Sequence, residues 1–203
     1  MAPKYDLFIN NEWVAPETGE WISVENPATK ETVGQAARGG EADLDRAVAA
    51  AKAAFPAWSR KTATERADYV HVLKDLVKRD KEKLAEIITS EMGKPLKEAR
   101  VEVDFAIGLL RFAAENTLRL QGEIIPGSSP NEKILIDRVP VGVICAITAW
   151  NFPLALCARK IGPAIAAGNT IVVKPHELTP LASLHLAKLV EEAKIPKGVV
   201  NIV

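Results

Sequence analysis

The sequence predicts an α/β protein: part of a doubly wound parallel sheet, preceded by a helical region and a β-arm. Three observations point there. From Val141 to Val203, short apolar runs alternate with amphipathic stretches in β-α-β-α-β order, the pattern of a parallel sheet with crossover helices. From Glu41 to Leu120, apolar residues recur at helical spacing. Between them lie two short strand-like pieces around the turn cluster Pro126-Gly127-Ser128-Ser129-Pro130.

The elements follow in order. Residues 5–35 are rich in turns, with strand-like pieces at Leu7–Ile9 and Trp21–Val24 and a turn at Asn26-Pro27, since a residue before Pro avoids the helical region. A first helix spans Glu41 to Phe55, with acidic residues in its first turn and Pro56 just after it. Thr62 and Glu65 have capping-box spacing and open a second helix, whose stripe is Val70, Leu73, Leu76 and Val77. Leu84, Ile87 and Ile88 mark a third, closed near Gly93. A fourth runs from near Pro95 towards Leu120 and ends by Gly122. Its stripe is Val101, Phe105, Leu109 and Phe112, read mainly as core, with the lining of a substrate tunnel as the other reading. Lys133–Val139 then reads as a strand of the arm.

In the last part, Val141–Ile147 is an apolar run fit for a buried parallel strand. Leu154, Ala158, Ile161 and Ile165 form a helix stripe closed by Gly168-Asn169, and Thr170–Val173 is a second strand. Thr179 and Pro180 open a helix carrying Leu181, Leu184, Leu186, Leu189 and Val190, and Val199–Val203 is a third strand. The organisation is therefore 1–120 strands and helices, 121–140 arm, and 141–203 the first β-α-β-α-β part of a Rossmann-like sheet. Ending on an apolar strand without polar capping predicts an unpaired sheet edge and a chain that is the leading part of something longer.

The chain has 203 residues, enough for a substantial core. Lys plus Arg and Asp plus Glu both number 26, so the formal net charge is zero. That balance argues against nucleic acid or an anionic membrane as partner. No apolar run has membrane-spanning length, and the opening MAPKYDLFINNEWV lacks signal-peptide regions. The expected setting is reducing and cytoplasmic.

Open α/β sheets bind ligands beyond the carboxyl ends of their strands. Two turns fall there: Thr148-Ala149-Trp150-Asn151 after the first strand, and Lys174-Pro175-His176-Glu177 after the second. A nucleotide is expected across them. Glu177 can accept both ribose hydroxyls of an adenosine, and Lys174 can donate to the same sugar or to a phosphate. The competing reading is a solvated ion pair beside a helix. No Gly-x-Gly-x-x-Gly or Walker A sequence accompanies them. Asn151 can donate to an oxyanion; as an alternative it caps the next helix, with Pro153 in the first turn. Cys145 reads as mid-strand core. Cys157 reads as partly exposed at best and without a base, so neither is a good nucleophile. His71, His176 and His185 fall on separate elements without metal spacing, and no metal site is expected.

Thr148-Ala149-Trp150-Asn151-Phe152-Pro153 and Gly168-Asn169-Thr170 through Lys174-Pro175-His176-Glu177-Leu178-Thr179-Pro180 resemble the aldehyde dehydrogenase superfamily. So do Asn10-Asn11-Glu12-Trp13, Glu25-Asn26-Pro27-Ala28-Thr29, Glu91-Met92-Gly93-Lys94-Pro95 and Gly122-Glu123-Ile124-Ile125-Pro126. The resemblance covers the whole chain and is nearest to the lactaldehyde and glycolaldehyde dehydrogenase-like branch. It implies NAD(P)-dependent oxidation of an aldehyde to an acid through a Cys nucleophile and a Glu that activates water. Asn151 matches the oxyanion donor. Lys174 and Glu177 match the adenosine-ribose contacts, and His176 lies between them. Ile147, Thr148, Ala149 and Trp150 match the segment bordering the cofactor, and Lys160 a charged helix position near the site.

Ala149 stands where Pro is commoner, and His176 where Ser is common. The positions of the family's nucleophilic Cys and general-base Glu lie beyond Val203, so the chain is expected to be inactive alone. Glu177 repels a ribose 2′-phosphate, which favours NAD; Lys174 or a protonated His176 softens that and keeps NADP open. The resemblance further implies a homo-oligomer, dimer or tetramer, when complete. The alternative is a catalytically dead nucleotide-binding or oligomerisation module.

Overall fold

The computed structural model describes residues 2–203. Its main sheet has five strands in the order β3 (Glu12–Val14), β2 (Leu7–Ile9), β10 (Val200–Ile202), β9 (Thr170–Lys174), β8 (Val143–Ile147). The strands β8, β9 and β10 are parallel, as the alternating pattern predicts, with Ile144 opposite Ile171 and Asn201 opposite Val172. The amino-terminal hairpin β2–β3 adds to β10 in antiparallel sense, with Phe8 opposite Ile202. The expected unpaired edge at Val199–Val203 is therefore corrected. A strand nearly two hundred residues upstream covers it, and Phe8 and Ile202 are both fully buried. Asn10 and Asn11, with left-handed backbone at φ 56° and 57°, turn that hairpin. The Asn10 amide then donates to Asn201 Oδ1 at 2.9 Å.

Both faces of the sheet are covered. On one lies α1 (Glu41–Ser59), where Ala47 and Ala51 meet Leu7, Ile9 and Val172. On the other lie α5 (Pro153–Ala166) and α6 (Leu181–Glu192), backed by α2 (Ala63–Arg79), α3 (Lys81–Met92) and α4 (Leu96–Asn116) in one continuous apolar core. A smaller sheet orders β1 (Lys4–Tyr5), β5 (Thr32–Ala37) and β4 (Trp21–Glu25).

The first helix does not stop at Pro56; it continues to Ser59. Pro56 lacks the N–H that would bond the Lys52 carbonyl, a cost the continuation has to offset. The continuation buries Trp58, whose Nε1 donates to Ile165 O at 3.1 Å. The Thr62–Glu65 box forms as expected: Glu65 N donates to Thr62 Oγ1 at 3.2 Å, and Thr62 N to Glu65 Oε2 at 2.8 Å. α3 ends at Gly93, whose φ of 84° and close approach to Pro27 leave no room for a side chain. α4 ends earlier than Gly122 and tightens into a 3-10 turn at Thr117–Arg119.

The core reading of Val101, Phe105 and Phe112 is overturned. Phe105 is 52% and Phe112 65% exposed, and Val101 is exposed as well. α4 instead buries Ala99, Glu102, Val103, Ala106, Leu110, Ala113 and Ala114. The alanines let α5 approach so closely that a side chain at Gly162 would come within 3.2 Å of Ala113 and Leu110. Helical period alone does not choose between a stripe of large residues and a stripe of small ones on the same helix.

The arm is a hairpin of β6 (Glu123–Pro126) and β7 (Lys133–Ile136), with Ile124 opposite Leu135; every residue in both strands is exposed. No helix among the described residues is long and apolar enough to cross a membrane.

Two helix starts in the core are capped from a distance. The α6 amides of Leu181 and Ala182 donate to the Glu91 carboxylate at 2.6 and 3.0 Å. The expected cap, Thr179, instead donates its hydroxyl to Trp150 O at 3.3 Å. Burial pushes the Glu91 carboxyl up to about 8, against the pull of those two N–H groups. A carboxyl whose proton is held more tightly in the folded state contributes stability fully below its ordinary value of 4.5, and loses it as pH rises towards about 8. His185, lowered from 6.5 by burial, works in the opposite sense below that value. The Glu91 signature is therefore cleanest between pH 6.5 and about 8. Stability is expected to fall there by roughly 1–2 kcal/mol, and Glu91→Gln to flatten the decline. Thermal melts of both proteins across that window check this.

Candidate functional site

The two turns at the carboxyl ends of β8 and β9 meet. Ile147 is opposite Lys174 in the parallel register. Thr148 N donates to Lys174 O at 3.2 Å. The rings of Trp150 and His176 meet edge to face at 5.4 Å. With the Thr179 hydroxyl on Trp150 O, these contacts make one rigid rim of two loops.

In the second turn Lys174 Nζ lies 3.3 Å from Glu177 Oε2, and both side chains are about half exposed. His176 Nδ1 accepts from Leu178 N at 3.2 Å. The Glu177 carboxyl is held below the usual range, first by its own backbone N–H and then by Lys174. The pair is thus solvated, as the competing reading had it, and its carboxylate stays ionised near neutrality.

A cavity of about 770 Å3 opens beside this rim. Ile147, Lys174 and Glu177 line it; Thr148, Ala149, Trp150, Asn151 and His176 do not. Thr148 is buried and faces inward, with its Oγ1 at 4.0 Å from Cys157 Sγ. Ala149 and Trp150 are exposed on the rim. The opposite wall comes from residues that sequence reasoning did not single out: Asp6, Arg38, Gly39, Gly40 and Glu41. Only the fold brings that β5–α1 connection across from β9. At the α1 start the buried Asp43 carboxylate accepts from Gly40 N and Glu17 N, both at 3.1 Å.

Asn151 does not cap the next helix. Phe152 occupies the N-cap position of α5 without a side-chain bond. Glu102, on α4, takes the first amides instead, accepting from Leu154 N at 2.9 Å and Ala155 N at 3.2 Å. The Asn151 side chain is exposed and enters no hydrogen bond among the described residues, whereas its carbonyl accepts from Lys94 Nζ at 2.9 Å. Lys94 and Glu102 were missed as site residues. The available signal was an acidic residue on the small-residue face of α4, where an unpartnered charge has no place. Lys160, on α5, is exposed.

The cysteines exchange their expected places. β8 is an edge strand, so Cys145 is exposed and lines the cavity. Cys157 is fully buried, 2.9 Å from Ser183 Oγ, and burial pushes its thiol up to about 11. A thiol so protonated is no nucleophile. Titration with a thiol reagent is expected to modify Cys145 in the native chain and Cys157 only after denaturant is added.

A parallel sheet with paired loops and a cavity at the ends of adjacent strands places the chain among α/β proteins of the doubly wound class. The chain belongs to the aldehyde dehydrogenase family, whose model matches residues 13–203. It is 44% identical over 200 residues to glutarate-semialdehyde dehydrogenase of Pseudomonas aeruginosa, covering 98% of this chain and 41% of that protein. Among solved structures, lactaldehyde dehydrogenase of Escherichia coli superposes with a TM-score of 0.97 at 36% identity, over all of this chain and 43% of that one. A 3,6-anhydro-L-galactose dehydrogenase in complex with NAP superposes with a TM-score of 0.94 at 40% identity, over 98% of this chain and 42% of that one. The chain thus spans about two fifths of the length of the relatives it matches.

Proposed function

We propose that this chain is the amino-terminal, cofactor-binding portion of an enzyme that oxidises an aldehyde to a carboxylic acid with NAD or NADP. The observation that carries this reading is the Asn151 carboxamide, exposed and released from capping duty by Glu102, on a rim shared with Lys174 and Glu177. Asn151 donates its amide N–H to the oxyanion that forms when a nucleophile adds to the aldehyde carbonyl. Glu177 accepts the adenosine ribose hydroxyls, Lys174 donates to the same sugar, and Ile147, Thr148, Ala149, Trp150 and His176 border the cofactor. Bound NAD or NADP supplies the acceptor for the hydride that leaves the aldehyde carbon.

The residues present fit the adenosine end of such a cofactor. The cavity wall is mostly apolar, with the Lys174–Glu177 pair at its lip and Asp6, Arg38 and Glu41 also in its lining. They do not include a glycine-rich turn to cradle the pyrophosphate. That cradle, the thiol nucleophile and the general base are assigned to the remainder of the enzyme, so the chain alone is inactive. The exposed hairpin β6–β7 serves assembly into a dimer or tetramer. Two free cysteines suit a reducing, cytoplasmic setting.

Calorimetric titration of the 203-residue chain with NAD and with NADP tests the reading. Binding of NAD is expected, weakened at least about ten-fold by Glu177→Ala, because a carboxylate accepting two hydroxyls contributes a charge-assisted pair. NADP is expected to bind more weakly than NAD. No binding of either nucleotide, or aldehyde turnover by the chain alone, overturns the reading.

A further inference from the structure

We propose that Lys94 and Glu102 are positioning residues: a buried ion pair on the helical region that holds the Trp150–Phe152 turn and aims the Asn151 carboxamide. Neither residue reaches the cavity. Both act through the turn, and the functional weight of the pair rests on the oxyanion-donor reading of Asn151.

The geometry is closed. Lys94 Nζ is bonded to Glu102 Oε2, and their side chains are 10% and 0% exposed. The same Nζ donates to Asn151 O at 2.9 Å and lies 4.1 Å from the Phe152 ring centroid. The other Glu102 oxygen accepts from Leu154 N and Ala155 N, the first free amides of α5. One ion pair therefore grips the turn on both sides of Phe152, at the carbonyl before it and the amides after it. Glu102 also does the work that Asn151 would otherwise do as a cap, and this leaves the carboxamide free. The cost of burying two charges is large unless each is fully partnered. Here both carboxylate oxygens are partnered, and the ammonium donates to a carboxylate and a carbonyl and covers a ring. The proposal gives α3, α4 and the Gly93-Lys94-Pro95 connection a role in the site beyond the filling of a core.

Nuclear magnetic resonance of the 203-residue chain tests this without needing turnover. Lys94→Met removes the grip on Asn151 O and leaves Glu102 without its cation; Lys94→Met with Glu102→Gln removes both charges and guards against misfolding. In each, the Asn151 side-chain amide signal is expected to shift or broaden. The amides of Leu154 and Ala155 are expected to exchange at least about ten-fold faster. The side-chain amides of Asn169 and Asn201, which lie elsewhere in the fold, are expected to stay in place. Lys94→Arg, which keeps the cation and its donors, is expected to restore the wild-type signals. Exchange within about two-fold of wild type at Leu154 and Ala155 overturns the proposal. So does a change spread equally to Asn169 and Asn201, failure of both disruptive variants to fold, or a Lys94→Arg protein that behaves like Lys94→Met. The outcome is independent of whether Asn151 stabilises an oxyanion, which the turnover of an Asn151→Ala enzyme reads separately.

Discussion

Asn151→Ala is expected to lower kcat of the complete dehydrogenase by about 10²–10³-fold, the effect of removing one preorganised oxyanion donor. KM for the aldehyde is expected to change little, because the hydrogen bond strengthens as charge develops on the carbonyl oxygen rather than in the ground state. Stability is expected to stay near wild type. The carboxamide makes no bond within the described residues, and Glu102 rather than Asn151 secures the start of α5. This combination separates the two roles weighed for Asn151. A capping residue would cost about 1 kcal/mol of stability on removal and leave the chemical step alone. Steady-state kinetics together with a urea melt read both quantities. An unchanged kcat would remove Asn151 from the chemistry, whatever the melt shows.

Trp58→Ala is expected to destabilise the chain by about 3–5 kcal/mol, the range for deleting a large buried aromatic side chain. Trp58 is 1% exposed, its ring lies 5.5 Å from that of Tyr69, and its Nε1 partners the carbonyl of Ile165 near the end of α5. The substitution opens a cavity at the junction of α1, α2 and α5 and leaves that carbonyl without its side-chain donor. It also removes what makes the passage of α1 through Pro56 worthwhile. The urea midpoint of Trp58→Ala against wild type gives the loss. Trp58→Phe is expected to recover most of the packing but not the hydrogen bond. A loss below about 1 kcal/mol for Trp58→Ala would mean that the site collapses readily and is not a keystone of the core.

Much of the fold was legible in local chemistry. The Thr62–Glu65 box, the glycine stop at Gly93, the turn cluster of the arm and the three apolar runs of the parallel sheet all formed where their residue types require. The two loops of the site were legible because a parallel sheet has one end at which ligands bind, and the turns there follow from strand order. What was not legible depended on contacts between distant segments. Phe105 and Phe112 share a helix with a stripe of alanines. The alanines won the core because they let α5 come close, and sequence period assigns both stripes equally well. Cys145 was exposed because β8 lies at an edge, a property of strand order in space. The edge at Val199–Val203 was covered because β2 returned from the start of the chain. The helix starts of α5 and α6 took their caps from Glu102 and Glu91, which stand 52 and 90 residues away along the chain.

The sequence by itself determined the family, the α/β class, the order of the elements and the two turns that carry Asn151, Lys174 and Glu177. Each of these rests on local periodicity, turn chemistry or motif spacing. Tertiary structure alone decided which face of α4 is core, which strand shields β10, where the two thiols lie and which carboxylate frees Asn151 from capping. The physical reason is the same in each case: burying a charge or an apolar face depends on what stands opposite, and only the folded chain brings that partner into contact.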